Sequence, residues 1–369
     1  MLASVHIRGY IEGYYGRILS WPDRRRMLTR LADCGINTYL WAPKEDMAHR
    51  LAWRTPWDDE WCAAFKDFCE LARISGITVL AGIAPGIDFD FHNENSEFEI
   101  LLQKSNKLID MGADAIVLMF DDIEPGPDQF NRTEAEAHAA IAKRLSDGIS
   151  APVMLVPRVY ADEIVEDGEV ALQYYHDLAA GLPPDMPVFH CGRHIVAGTN
   201  PLQHSYAKAA GFGRLIIWDN VYCNDYCPRR LFVGPHKDRG NCDDLMLNGT
   251  GLPETDLLLI SLMAAGDNDG AWRAALANAG VPDAFLRLSS WFNAPVTTNS
   301  PPPSLPDLGV DEFAALEILL WRWKSPLAME WYPFLFGLKH DALIAGGEMP
   351  DERLAKTQTS PLHKHLRQN

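Results

Sequence analysis

The sequence predicts a (β/α)8 TIM barrel followed by an α-helical appendage, and two observations support this fold class. Short apolar segments alternate with helix-length segments over about the first 265 of the 369 residues. Eight such pairs fit the roughly 250 residues that a (β/α)8 barrel typically needs. A doubly wound open sheet is the rival, but a glycine-rich phosphate turn after an early strand is missing.

The predicted strands are short, rich in apolar residues and, in several cases, apolar at nearly every position. Strands buried on both faces of a parallel sheet have this pattern, because helices cover the sheet outside and side chains fill it inside. The strands are expected at residues 5–11, 36–41, 77–83, 115–120, 152–156, 187–190, 214–218 and 245–247.

The predicted helices lie between these strands, and the first has the clearest signals. Ser20 suits the N-cap, Pro22 suits the first turn, and Gly35 suits the C-terminal end. Further helices are expected at residues 58–74, 97–111, 133–147, 169–180, 201–210 and 254–265. An irregular stretch, 219–243, separates the last two strands.

The strand and helix alternation stops near residue 268, which divides the chain into two regions. Residues 1–268 are predicted to form the barrel, and residues 269–369 a helical region. Segments 271–279, 283–292 and 310–324 favour helices. The proline-rich segment 293–306 cannot continue a regular helix, so it is interpreted as a joint.

Composition and charge disfavour several classes of partner. The chain has 50 acidic and 33 basic residues, a net charge of −17, which argues against a large nucleic-acid interface. Its longest apolar stretch, near 257–266, is far shorter than the roughly 18–20 residues that span a bilayer. A basic segment followed by a long apolar run is missing at the N-terminus, and the seven cysteines are scattered. We therefore expect a cytoplasmic location, with a trimmed secretory form left open; the oligomeric state is not indicated.

Polar and aromatic residues cluster at the predicted carboxyl ends of the strands, where barrel active sites lie. Asp121 and Asp122 are the sharpest signal, because they directly follow a buried strand. Two close carboxylates do not readily ionise together, so we expect one to have a raised pKa and act as an acid. The other can stay charged and hold a substrate group.

The remaining candidates are suited to binding a sugar. Lys44 can bind a hydroxyl or an anion, Gly13 permits close backbone approach, and the amides of Asn220 and Asn248 pair with vicinal hydroxyls. Aromatic side chains can pack on a sugar face, as expected here for Tyr160, Trp218 and Tyr226. A zinc site formed by His190, Cys191, Cys223 and Cys227 is disfavoured, because the spacing is unsuitable. No metal and no cofactor is expected.

Several strand-end blocks resemble one family in the same order. They are EGYYG (12–16), NTYLWAPKED (37–46) with HR (49–50) and WR (53–54), PGID (85–88), FDDI (120–123), WDN (218–220), NDY (224–226) and LFVGP (231–235). The sequence is similar, over roughly residues 5–266, to the family 84 glycoside hydrolases. These are β-N-acetylglucosaminidases that include the protein O-GlcNAcases.

The resemblance implies a retaining exo-β-N-acetylglucosaminidase with substrate-assisted catalysis, in which the 2-acetamido oxygen attacks the anomeric carbon and an oxazoline forms. It implies that Asp121 orients the acetamido N–H and that Asp122 is the general acid and base. The implied sugar ligands are Gly13 (through its backbone), Lys44, Asn220, Asp225 and Asn248, with Tyr160 and Trp218 at the acetamido group. The implied partner is a GlcNAc-containing glycoside or an O-GlcNAc-modified protein.

The chain departs from the family pattern around Arg158 and at residues 190–193 (HCGR). These departures bear on the part of the site that would contact the leaving group and not on the sugar-binding residues. Three alternatives stay open at this point. A non-catalytic GlcNAc-binding barrel would need no acid, and a metal-dependent hydrolase would lose activity with a chelator. A hyaluronidase-like glycosidase would favour a basic cleft, which the net charge of −17 does not support.

Overall fold

The computed structural model describes residues 6–125, 132–197, 200–239, 242–293 and 308–347. Within them, eight parallel strands close into a barrel in sequence order, with β8 pairing to β1. They are β1 (Arg8–Glu12), β2 (Thr38–Trp41), β3 (Thr78–Ile83), β4 (Ala115–Met119), β5 (Val153–Val156), β6 (Pro187–His190), β7 (Arg214–Asp219) and β8 (Leu245–Asn248). This arrangement confirms the predicted (β/α)8 fold.

Helices cover the outside of the barrel and continue beyond it. Those of the barrel are α1 (Trp21–Asp33), α2 (Asp59–Ile74), α3 (Glu94–Asp110), α4 (Glu134–Gly148), α5 (Gly168–Gly181), α6 (Tyr206–Ala209) and α7 (Pro253–Ala265). Those that follow are α8 (Asp269–Asn278), α9 (Val310–Trp321) and α10 (Pro326–Ala345). None of the helices in the described ranges is long and apolar enough to cross a membrane.

Several strands are apolar at nearly every position because both of their faces are buried. In β4, Val117 and Met119 belong to the cluster that fills the barrel, whereas Ile116 and Leu118 belong to the cluster shared with the surrounding helices. The strand therefore has no solvent-facing side on which a polar residue would be favoured. Its first polar side chains come where the chain leaves the barrel, at the carboxyl end.

Two predicted helices are wrong in extent. The helix expected at 201–210 is reduced to α6, because residues 201–204 form turns and His204 has a φ of 61°, which a right-handed helix excludes. The helix expected at 283–292 is instead two short 3-10 helices, Asp283–Arg287 and Ser289–Phe292.

Helix α10 was not predicted, and it joins the C-terminal helices to the barrel. Pro333 lies inside this helix, and an interior proline ordinarily argues against a helix. The Glu330 carboxylate accepts hydrogen bonds from the backbone N–H groups of Glu254 and Thr255, at the start of α7. Most of the predicted joint, residues 294–306, lies outside the described residues, and the boundary at 268 stays a prediction.

A buried ion pair secures the carboxyl end of β1. Glu12 is fully buried and accepts hydrogen bonds from Nε and Nη2 of Arg24 on α1, each at 2.8 Å. The hydroxyl of Tyr39 on β2 donates a third bond to Glu12, at 2.7 Å. The pair therefore ties the first helix and two strands together directly below Gly13.

Replacing Arg24 with Met should lower the free energy of unfolding by about 3–5 kcal/mol, because the Glu12 carboxylate would stay buried without its cation. The control is Arg26→Met on the same helix. Arg26 is 44% exposed and pairs with Asp23 and Glu254, so its loss should cost at most about 1 kcal/mol. Urea unfolding followed by circular dichroism measures both variants. Equal losses would contradict the role given to the buried pair.

Candidate active site

A cavity of about 610 Å³ lies at the carboxyl ends of the strands, within the size range typical of ligand sites. Every site residue predicted from the sequence lines this cavity. They are Gly13, Lys44, Asp121, Asp122, Tyr160, Trp218, Asn220, Asp225, Tyr226 and Asn248. The fold therefore brings together residues that are spread over more than 230 positions of the chain.

The two carboxylates lie side by side just beyond β4 but in different surroundings. The side chain of Asp121 is 6% exposed, and its Oδ2 contacts the Lys44 ammonium. Its other oxygen, Oδ1, is buried and has no hydrogen-bond partner among the described residues. The side chain of Asp122 is 30% exposed. Asp121 thus keeps one buried and unpartnered carboxylate oxygen, whereas Asp122 is the more exposed of the two carboxylates.

Two tyrosine hydroxyls hold the Asp122 carboxylate. Tyr160 donates to Oδ1 at 2.6 Å and Tyr15 donates to Oδ2 at 2.8 Å. Lys44 Nζ lies 3.7 Å from the same Oδ2. The carboxylate is therefore oriented by groups from three other strand ends.

The electrostatics of Asp122 correct one expectation from the sequence. Burial raises the pKa of the Asp122 carboxyl, but the Lys44 charge and the hydrogen bonds from Tyr160 and Tyr15 outweigh burial, so this pKa lies below its ordinary value. A raised pKa at the acid was expected from the neighbouring carboxylate alone, and this is wrong for Asp122. The spacing of the two aspartates in the sequence does not reveal the cation and hydroxyls that the barrel places around them.

Two hydrogen-bonded asparagine amides form the wall of the cavity opposite Asp121 and Asp122. Asn248 Oδ1 accepts from the Gly13 N–H at 3.2 Å, and Asn248 Nδ2 donates to Asn220 Oδ1 at 3.0 Å. Trp218 Nε1 donates to the same oxygen at 3.0 Å, while Asn220 Nδ2 donates to the Ile195 carbonyl at 2.9 Å. These bonds set the orientation of both amides before a ligand arrives.

Gly13 is required by packing as well as by access to the cavity. A Cβ at this position would lie 2.4 Å from Cζ2 of Trp218, so any larger residue would displace the indole ring. Asp225 lies further along this wall and accepts the backbone N–H of Tyr15 at 3.0 Å. Residues of β1 and of the segment after β7 are thereby held together.

Tyr15 was not among the candidates derived from the sequence, although it contacts Asp122 directly. The signal was available, since Tyr15 lies in the EGYYG block that follows β1. Two adjacent tyrosines occur there, and only the structure separates them: Tyr14 is buried in the core, whereas Tyr15 is 39% exposed and lines the cavity.

Of the residues that depart from the family pattern, some line the cavity and others do not. Arg158 binds Glu134 on α4 at 2.6 Å and does not line the cavity. His190 and Cys191 line the cavity, and His190 is already engaged: its Nδ1 accepts the Gly192 N–H at 2.8 Å, and its Nε2 lies 2.9 Å from the Tyr175 hydroxyl.

The cysteine thiols of the cavity have amide partners. Cys191 Sγ accepts from Asn220 and Cys223 Sγ accepts from Asn248, and burial raises the pKa of both thiols well above the ordinary value. In the described part of the chain, no group of three or more His, Cys, Asp or Glu residues is arranged to hold a metal ion.

Comparison with known proteins gives results that agree with the resemblance. The family model described as NAGidase, beta-N-acetylglucosaminidase, matches residues 8–249. The Protein O-GlcNAcases of Rattus norvegicus and Mus musculus are each 29% identical over 238 residues, which is 63% of this chain and 26% of theirs. The chain thus spans about a quarter of the length of these relatives.

The fold also matches a solved structure, an Asp-to-Asn mutant of the O-GlcNAc hydrolase of Thermobaculum terrenum. The TM-score is 0.76 at 23% identity, and the match covers 92% of this chain and 82% of that one; it supports the fold alone. The family model covers well over half of the chain and includes every strand of the barrel. The chain therefore belongs to the β-N-acetylglucosaminidase family, glycoside hydrolase family 84.

Proposed function

We propose that this protein is a retaining exo-β-N-acetylglucosaminidase that removes terminal GlcNAc from glycosides or from O-GlcNAc-modified protein, without a metal or cofactor. The observation that carries the proposal is the pair Asp121 and Asp122, adjacent at one strand end but unequal in burial. A substrate with an amide next to its scissile bond would use both positions at once.

The proposed first step is attack by the substrate's own acetamido oxygen on the anomeric carbon. Asp121 accepts the acetamido N–H, for which its unpartnered Oδ1 is a suitable acceptor. As the acetamido oxygen bonds to C1, the C1–O bond breaks, Asp122 gives its proton to the departing glycosidic oxygen, and the N–H proton passes to Asp121, which leaves a neutral oxazoline. Water then attacks C1, Asp122 takes a proton from this water, and Asp121 returns its proton to the nitrogen as the oxazoline opens. The two successive displacements at C1 retain its configuration.

An enzyme nucleophile is not required in this scheme. A retaining glycosidase with a carboxylate nucleophile places its two carboxyl groups about 5 Å apart on opposite sides of the bond. Asp121 and Asp122 instead lie on the same side of the cavity, at one strand end. That placement suits two tasks on one face of one sugar.

The rest of the cavity would hold the sugar. The Asn220 and Asn248 amides, the Asp225 carboxylate, the Lys44 ammonium and the Gly13 backbone are the proposed ligands of the hydroxyls. Trp218 would wall the acetamido pocket, and Tyr160, whose hydroxyl donates to Asp122, would contact the acetamido group. Because the amide chain is already in place, little side-chain ordering would be lost on binding.

Protonation of Asp122 follows from substrate binding in this proposal. In the open cavity Lys44 and the two tyrosines favour the carboxylate. A bound sugar excludes water from the cavity, and desolvation favours the neutral carboxylic acid. The acid form would therefore be populated mainly in the complex.

Asp122→Asn should lower kcat/KM by roughly 100- to 10,000-fold for an aryl N-acetylglucosaminide with a poor leaving group, because the general acid is lost. The loss should shrink as the leaving group improves. Asp121→Asn is the comparison, and its defect should persist with good leaving groups because it acts on the attack step. Asp67→Asn, on the exposed face of α2, controls for the change of charge. A uniform loss for Asp122→Asn would contradict its role as acid.

Successive fluorination of the substrate's acetyl group should slow turnover steeply, because each fluorine lowers the basicity of the attacking oxygen. Turnover of the mono-, di- and trifluoroacetyl aryl glycosides measures this dependence. A cyclic thiazoline that mimics the oxazoline should inhibit strongly, since it resembles the intermediate. Rates that ignore fluorination, or a glycosyl ester trapped on any Asp or Glu, would contradict the mechanism.

Tyr15→Phe should shift the alkaline limb of the kcat/KM profile to higher pH. The Tyr15 hydroxyl lowers the pKa of Asp122, so removing it raises that pKa. The acid works in its protonated form, hence the rate falls only above the raised value. Tyr226→Phe changes another tyrosine of the cavity that makes no bond to Asp122 and should leave the limb in place. An alkaline limb that moves to lower pH in Tyr15→Phe would contradict the effect assigned to the Tyr15 hydroxyl.

A further inference from the structure

The backbone at the two carboxylates has an unusual conformation. Asp122 has a φ of 55°, in the left-handed region that residues other than glycine seldom adopt, because Cβ approaches the following carbonyl oxygen. Such a conformation persists only when its surroundings hold it. The surroundings of the Asp121 and Asp122 peptide groups therefore determine where the two carboxylates point.

One side chain holds both peptide groups. Arg50 Nη1 donates to the backbone carbonyl of Asp121 at 3.2 Å, and Arg50 Nη2 donates to the backbone carbonyl of Asp122 at 2.9 Å. The two donors of the planar guanidinium thus engage consecutive carbonyls at the turn. A lysine ammonium, which is a point donor, cannot reproduce this planar two-point contact.

Arg50 is buried and does not serve an ion pair. It is 5% exposed, and within the described residues it forms no salt bridge. Burying a guanidinium is costly unless hydrogen bonds satisfy it. The hydrogen bonds that do so here are those to the two carbonyls, which ties the presence of this cation to the conformation of the pair.

The loop after β2 reaches the pair in two ways. Lys44, near its start, contacts the carboxylate side chains, and Arg50, six residues later, contacts the backbone behind them. The loop is itself anchored, since the Ala84 N–H donates to the His49 carbonyl at 3.0 Å. The Tyr15 ring lies within 5.8 Å of both the Lys44 and the Arg50 cationic groups.

We infer that Arg50 is a positioning residue: its guanidinium holds the left-handed turn at Asp122 and so aims both carboxylates into the cavity. The inference rests on the proposed function, because it explains how the acid and the amide-orienting group are aligned. Without the two hydrogen bonds from the guanidinium, the turn is free to relax to negative φ at Asp122. The Asp122 carboxylate then loses its alignment with the hydroxyls of Tyr15 and Tyr160.

The test compares Arg50→Met, Arg50→Lys and the wild-type protein on aryl N-acetylglucosaminides of graded leaving-group ability. We expect kcat for the poorest leaving group to fall about 100-fold in Arg50→Met, the size of loss that a misplacement of about 1 Å can cause. KM should change much less, because Arg50 does not line the cavity. The loss should decrease with better leaving groups, as expected for a misaligned acid.

Arg50→Lys separates position from charge. The lysine variant keeps the positive charge, so its kcat should equal that of the wild type if Arg50 acts only through its charge. If Arg50 acts by positioning, the two guanidinium hydrogen bonds are required, and kcat should stay at least tenfold below the wild type. If Arg50→Met does not fold, Arg50→Lys still decides the question. A crystal structure of the lysine variant should have Asp122 at negative φ. Full activity of Arg50→Lys would overturn the inference.

Arg54→Met is the control for a merely structural effect. Arg54 lies on the same loop and binds Asp88 and Glu97, so its loss should reduce stability without changing the leaving-group dependence. Failure of the inference is distinguishable from failure of the proposed function. A wild-type protein that does not cleave any aryl N-acetylglucosaminide would overturn both, whereas an active wild type with unaffected Arg50 variants would overturn the inference alone.

Discussion

Placing two adjoining carboxylates in one cavity is the constraint on which the rest of this site depends. Their mutual repulsion and the loss of water must be offset by groups that the local sequence around them does not contain. Lys44 contributes a cation and Tyr15 and Tyr160 contribute hydroxyls. These residues come from the ends of three other strands, so barrel closure is a condition of the chemistry as well as of the fold.

Further ion pairs and hydrogen bonds hold the residues that line the cavity. The buried pair of Glu12 and Arg24 secures the end of β1, and this strand end presents the Gly13 backbone to the amide chain of Asn248 and Asn220. Groups that face the cavity are therefore held by one another and, behind β1, by a buried ion pair that does not line the cavity. Such an arrangement reduces the reorganisation needed when a ligand binds, which is the physical basis of preorganised catalysis.

The sequence was informative where a residue's role depends on its position along one strand. Asp121 and Asp122 could be placed at a strand end because six apolar residues precede them. It was less informative for helices whose extent depends on packing: α10 contains Pro333, and the helix predicted at 201–210 is interrupted at His204. In both cases tertiary contacts override a local preference that the sequence pattern expresses.

The sequence by itself determined the barrel, its order of strands and the residue types at the strand ends, because burial on both faces of a strand leaves a pattern that can be read locally. Only the tertiary structure decided that the pKa of Asp122 is lowered and that Tyr15 rather than Tyr14 lines the cavity. It also decided that Arg50 hydrogen-bonds the carbonyls of Asp121 and Asp122. These depend on distances between residues far apart in the chain. Electrostatic and hydrogen-bond energies change steeply with such distances, and a linear pattern does not contain them.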